Sequence, residues 1–206
     1  PSFGMPSYDA VEKVLRAIPG YTPLFKEAYP GESNPVSIDN FALAIGAFER
    51  TLVTPARFDA FMGADGAALD GPQKAGLRTF IETGCVSCHW GPCVGGRMYD
   101  KFGVLAPYWK YTRSGEIDAG RYAVTKNESD KYVFKVPVLR NVAMTSPYFH
   151  DGSVSRLDTA IWIMGKIQLG KNVSKPQIES IRSFLGALTG EIPEDASHVP
   201  ILPKSE

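Results

Sequence analysis

Cys85-Val86-Ser87-Cys88-His89 sets two thiols three positions apart and follows the second directly with an imidazole. Two intervening residues let the chain turn once, so both sulfurs face one side and His89 swings beneath them. This is the spacing of covalent attachment of a c-type haem. The thiols close on the porphyrin vinyl groups and the histidine becomes the proximal iron ligand. Other uses of paired cysteines fit less well. A structural zinc site takes four nitrogen or sulfur ligands, usually from two knuckles, and only Cys93 remains beyond this pair. A dithiol redox site expects its pair at the start of a helix that follows a strand. Here the pattern places a helix before the motif. Cys93, the odd cysteine, reads as a small buried hydrophobe near the haem.

A proximal histidine leaves one axial position to assign. The other candidates are Met5, Met62, Met98, Met144, Met164, His150 and His198. Met164 precedes the closing helix and shares an apolar face with Leu157 and Ile161 at i, i+4 and i+7, though most methionines so placed are core filler. Met144 lies in a turn-rich loop with Thr145-Ser146-Pro147. His150, beside Asp151, reads as a satisfied histidine bonded to that carboxylate or to a haem propionate. His198 sits in the polar tail. On position alone Met164 is the better placed, with Met144 and His150 still open.

Several elements must position these groups. Residues 7–18 read as an amphipathic helix capped by Ser7, with Val11, Val14, Leu15 and Ile18 at helical spacing. Residues 22–28 form a second helix. Ser37 opens a third through about Leu52, with Phe41, Ile45 and Phe48 on one face, and Phe58 and Phe61 start a shorter piece. Asp70-Gly71-Pro72-Gln73 has capping-box spacing with an early proline. Its helix carries Leu77, Phe80 and Ile81 on the apolar face and stops at Gly84. Residues 91–135 lack a long period and read as loops with a short hairpin. Ser155-x-x-Asp158 caps the next helix. Ser174-x-x-Gln177 caps the last, with Ile178, Ile181, Leu185 and Leu188 inward and Gly190 and Pro193 as terminators. The tail, 194–206, is polar and surface-bound or loose. The expected fold is mainly α: a class I cytochrome c-like haem domain with an additional N-terminal helical segment.

Composition sets the outer bounds. In 206 residues, 44% are hydrophobic and 21% charged, the balance of a soluble globular chain. A formal net charge of zero gives no global field to favour nucleic acid or an anionic membrane. No apolar run is long enough to span a bilayer, and no signal peptide is visible. The chain opens at Pro1 without an initiator methionine. The expectation is a processed form or a fragment that has lost a leader, since haem attachment at this motif belongs outside the bacterial cytoplasm.

Longer segments carry a resemblance. Leu69-Asp70-Gly71 through the haem motif to Gly95-Gly96, then 134–141, 145–152 and 164–170, resemble the second haem domain of bacterial di-haem cytochrome c peroxidases, in the same order. Residues 44–52 resemble the family's connecting helix. The resemblance implies a high-potential haem c with His89 and Met164 as axial ligands, and so selects Met164. It implies peroxidase activity in a two-haem enzyme: hydrogen peroxide is reduced to water with electrons from a small redox protein, a cytochrome c or a blue copper protein. It also implies calcium, held in part by backbone carbonyls of the Thr145 and Pro147 segment. The expected location is periplasmic and the expected assembly a homodimer. Residues 1–68 would be a helical connecting segment at the interface with an N-terminal haem domain, and 69–206 the haem domain with its tail. The chain departs from the family in lacking a second Cys-x-x-Cys-His. A catalytic glutamate precedes a segment like Gly4-Met5-Pro6 in the family, where this chain has only Pro1, Ser2 and Phe3. A plain monohaem electron-transfer cytochrome, a haem sensor or structural module, and a di-haem enzyme that oxidises a protein side chain are the rival readings. Tyrosine often replaces the methionine in the last class, so Met164 argues against it.

Overall fold

Asp70 opens the helix that carries the haem motif. Its side chain accepts from the Gln73 amide at 2.8 Å while Gln73 Oε1 accepts from the Asp70 amide at 3.1 Å, a reciprocal capping box. The computed structural model describes residues 4–203, so the expectation about Pro1, Ser2 and Phe3 lies outside the described residues. The helices are α1 (Tyr8–Ala17), α2 (Tyr21–Ala28), α3 (Ile38–Glu49), α4 (Arg57–Met62), α5 (Gly71–Thr83), α6 (Trp109–Thr112), α7 (Tyr122–Thr125), α8 (Leu157–Ile167), α9 (Lys175–Gly186) and α10 (Glu194–Ser197). Strands β1 (Tyr99–Lys101) and β2 (Val133–Lys135) pair antiparallel, Tyr99 opposite Lys135 and Lys101 opposite Val133. The mainly helical expectation therefore holds. The pair of strands is not a short hairpin. It closes a long excursion that contains α6, α7 and an aromatic cluster.

The chain divides into two compact units, one of residues 1–53 with 192–206 and one of residues 54–191. The expected boundary at 68/69 falls inside the second unit. Residues 54–68 join it because Phe58 packs edge-on to Phe184 at 5.4 Å and its amide donates to the Ala187 carbonyl.

In the first unit Leu15, Phe25 and Val36 form a small core, with Phe41 packed against it. Ser7 caps α1 by accepting from the Ala10 amide. The expected inner face of α3 is only partly inside. Phe41 joins the core, but Ile45 and Phe48 are exposed, as are Leu43, Leu52 and Val53. The tail carries α10 and packs Pro203 against Gly20.

In the second unit α5 packs on α9 around Phe80, Ile181, Phe184, Leu185 and Leu188. Ile81, expected inside, is exposed. Gly76, Phe80 and Thr83 are the buried positions of α5. The N-cap of α8 is Arg156 rather than Ser155, and it makes no side-chain cap. Ser174 and Gln177 form the capping box expected at α9. That helix ends at Gly186, before Gly190, and Leu188 is buried just beyond it. A second core of Tyr108, Tyr148, Val154, Ala160, Ile163 and Ile167 lies behind α8.

Candidate haem site

Helix α5 ends at Gly84, whose φ of 99° takes the left-handed conformation that glycine tolerates best. Cys85–Ser87 then form one tight turn, and the amides of Cys88 and His89 both return to the Cys85 carbonyl, at 3.3 and 3.0 Å. The turn delivers both thiols and the imidazole to one cavity of about 420 Å³, within the roughly 300–1,000 Å³ of typical small-molecule sites. Four sides enclose it. Phe80 and Thr83 come from α5, Asp100 and Phe134 from the strand pair, and Leu157, Ile161 and Met164 from α8. Ile181 and Leu185 of α9 close the back.

Of the axial candidates, Met164 and His150 border this cavity together with His89, and Met164 is the one methionine among the lining residues. Met144 is exposed, as is Met62. His198 is exposed and belongs to the other compact unit. His150 stacks on Phe134 with ring centroids 4.4 Å apart. Its Nε2 lies 3.8 Å from the Asp118 carboxylate. The expected partner, Asp151, instead accepts from the Ser153 amide. Asp118 arrives because Tyr108 anchors its backbone: the Tyr108 hydroxyl accepts from the Asp118 amide and donates to its carbonyl. Thr145 and Pro147, the expected calcium carbonyls, also border the cavity.

The chemistry of the donor set fits a haem. Burial lowers the pKa of His89, and the nearby carbonyls of Val94 and Pro137 pull the other way. The imidazole is therefore held neutral, the form that binds a metal. Its Nδ1 is buried without a hydrogen bond of normal geometry. A ligating histidine needs its second nitrogen turned to such backbone acceptors. Gly95 makes the approach feasible, because a Cβ there would overlap the Pro137 carbonyl oxygen and press on Nδ1. Burial raises the Cys85 thiol to about 11. Burial likewise raises Cys88, aided by Asp100. Both thiols are thus kept protonated in an apolar wall.

Cys93 departs from expectation. It is exposed, while its neighbour Val94 is buried. The turn after Gly91-Pro92 puts Val94 at a φ of 50° and points its side chain inward, which turns Cys93 out. Trp90 is also exposed, under the Arg97 guanidinium at 5.1 Å. Sequence reasoning missed Asp100, Phe134 and Gln168 as cavity residues. Phe134 and Gln168 lie in segments that carry the resemblance, but nothing there assigned them to the cavity, and Asp100 lies in the aperiodic 91–135 stretch without a local signal.

The model of the family described as di-haem cytochrome c peroxidase matches residues 2–67. The cytochrome c551 peroxidase of Pseudomonas aeruginosa is 47% identical over 197 residues, covering 95% of this chain and 56% of that protein. The chain belongs to the di-haem cytochrome c peroxidase family. The cytochrome c551 peroxidase of Nitrosomonas europaea is 43% identical over 200 residues, covering 97% of this chain and 58% of its own length. The methylamine utilization protein MauG of Methylorubrum extorquens is 31% identical over 157 residues, covering 75% of this chain and 42% of that protein. The chain thus spans somewhat over half the length of the two peroxidases. A crystal structure of a MauG-like protein associated with microbial copper homeostasis shares the fold, at a TM-score of 0.71 and 23% identity over 89% of this chain and 62% of that one. Membership in a di-haem family implies haem c, and the donors gathered here suit it. Among the described residues no helix is long and apolar enough to cross a membrane.

Proposed function

We propose that this chain is the electron-accepting and relaying haem c domain of a cytochrome c peroxidase. Cys85 and Cys88 hold the haem covalently, His89 binds iron on the proximal side and Met164 on the distal side. The observation that carries this reading is the convergence of all four on one apolar cavity. Bound there, the haem supplies a one-electron couple. With His89 and Met164 both holding the haem iron, the site would suit electron relay rather than peroxide binding. The thioether of Met164, in place of a second imidazole, favours the reduced state. The apolar walls from α5, α8 and α9 favour it too, because burial penalises the extra charge of the oxidised state. Both effects suit the entry port for electrons from a small cytochrome c or blue copper protein. Hydrogen peroxide reduction to water is assigned to a second haem domain beyond this chain. The exposed apolar residues of α3 support a connecting role, at that domain's interface, for the part of 1–68 that precedes residue 54; residues 54–68 go with the haem domain, on which Phe58 packs. His150, held by Phe134 and Asp118, sits beside the haem without binding iron. Calcium is assigned to carbonyls of Thr145 and Pro147, with further ligands from outside this chain, and carbonyl oxygens suit that cation. The same reading carries a periplasmic location, since haem c is attached outside the bacterial cytoplasm, and, from the family resemblance alone, a homodimer.

Spectroscopy of the haem-loaded protein tests the ligand set. The oxidised protein should show the methionine–iron charge-transfer band at the red end of the visible spectrum. Met164→Ala should abolish it and open the iron to cyanide, whereas His150→Ala should retain it. Loss of the band in Met144→Ala or His150→Ala, with retention in Met164→Ala, would overturn the assignment.

A further inference from the structure

Helix α8 ends at Ile167, one turn after Met164, and the chain must reverse before α9 begins at Lys175. The reversal is tied to α8 at its start, where the Gln168 amide donates to the Met164 carbonyl at 3.1 Å and the Lys171 amide donates to the Gly165 carbonyl at 2.9 Å. The side chain of Lys171 then crosses to α5. Its ammonium donates to the Thr83 carbonyl at 2.7 Å and to the Glu82 carbonyl at 3.3 Å. Those are terminal carbonyls that a helix leaves without intrahelical partners, at the end where the macrodipole favours a cation. Gly84 and Cys85 follow at once. One residue therefore links the backbone beside Met164 to the helix end that launches the haem motif, and its charge is felt at Cys85.

The opposite side of the same turn is held by a neutral residue. Gln168 Oε1 accepts from the amides of Gly103 and Val104 at 2.6 and 3.2 Å, and its Nε2 donates to the Lys101 carbonyl at 3.0 Å. The two side chains fasten the end of α8 to both flanks of the cavity, the α5 flank through Lys171 and the β1 flank through Gln168.

We propose that Lys171 is a positioning residue for the distal ligand: it pins the turn after α8 to the end of α5 and so keeps the Met164 thioether on the iron. The inference rests on Met164 being that ligand. A competing ligand must displace Met164 before it binds, so its apparent affinity reports the fraction of protein with Met164 released. The measurement is the cyanide concentration that removes half of the methionine–iron band in the oxidised, haem-loaded protein. Hydrogen bonds from a charged donor are worth enough to shift that release about ten-fold. Lys171→Ala and Lys171→Met should each need about ten-fold less cyanide than wild type. Lys171→Arg, which keeps charge and donors, should stay within about two-fold. Lys171→Met retains the apolar stem, so it carries the test if the alanine variant does not fold. Wild-type cyanide sensitivity in Lys171→Met, with the band present, overturns the inference alone. Absence of the band from wild type, or its persistence in Met164→Ala, overturns the ligand assignment and this inference with it.

Discussion

The carboxylate of Asp100 lies 3.6 Å from the Sγ of Cys88, on the strand that walls the haem cavity. A negative charge at that edge stabilises the oxidised haem relative to the reduced. Asp100→Asn should therefore raise the reduction potential, by about 1 kcal/mol or ~40 mV for one electron at a partly exposed site. Spectroelectrochemistry of the two proteins decides it, and an unchanged or lowered potential contradicts the placement of this carboxylate at the haem edge.

Gly76 lets α5 lie directly on α9. A Cβ there would overlap the Ser180 carbonyl oxygen and crowd Phe184. Those are backbone and core atoms with no slack, so Gly76→Ala should cost about 1–3 kcal/mol in spite of alanine's better helix propensity. Denaturant unfolding followed by haem-band and far-ultraviolet signals would measure it. A neutral or stabilising effect would mean the helices are further apart.

Arg140 clamps α4 to the loop after the haem motif. Its guanidinium grips both Asp59 oxygens at 2.6 Å and also donates to the Pro92 carbonyl. The Arg140 hydrogen bonds hold the Asp59 carboxyl below its ordinary value of 3.8. A depressed carboxylate stabilises the fold above the unfolded pKa, and the benefit fades as pH falls through the folded value. Asp59→Asn should thus cost about 1 kcal/mol at neutral pH, a modest figure because Asp59 is well exposed. The deficit should begin to shrink below about pH 3.8 and close once the pH has fallen past the lower folded value. Paired unfolding curves across that range would show whether the gap closes.

Thiol counting tests the covalent haem directly. With Cys85 and Cys88 consumed as thioethers, Cys93 is the remaining thiol, and it is exposed. Iodoacetamide on the native, haem-loaded protein should add one label per chain, on Cys93, with no additional label after unfolding. Label on Cys85 or Cys88 in the unfolded sample would show that attachment is incomplete.

What the sequence determined by itself is local. The Cys-x-x-Cys-His pattern closes within one turn, so five residues suffice to bring its thiols and imidazole to one cavity. The capping boxes at Asp70 and Ser174 are likewise legible, because each satisfies helix-end amides within three residues. The apolar spacing of Leu157, Ile161 and Met164 indicated the side of α8 that borders the cavity. Tertiary structure decided the rest. Ile81 and Ile45 fit their helical stripes and still face solvent, since a stripe does not say which part of it a neighbour covers. Cys93 points out because one residue at a positive φ turns Val94 in, a backbone choice with no compositional mark. Asp118 rather than Asp151 meets His150, because Tyr108 anchors a loop many residues away. The bond from Lys171 to Thr83 spans 88 residues and exists only when α5 and α8 already flank one cavity. Groups whose partners lie within a turn are written in the chain. Groups whose partners arrive from distant elements acquire their roles only when packing brings those elements together.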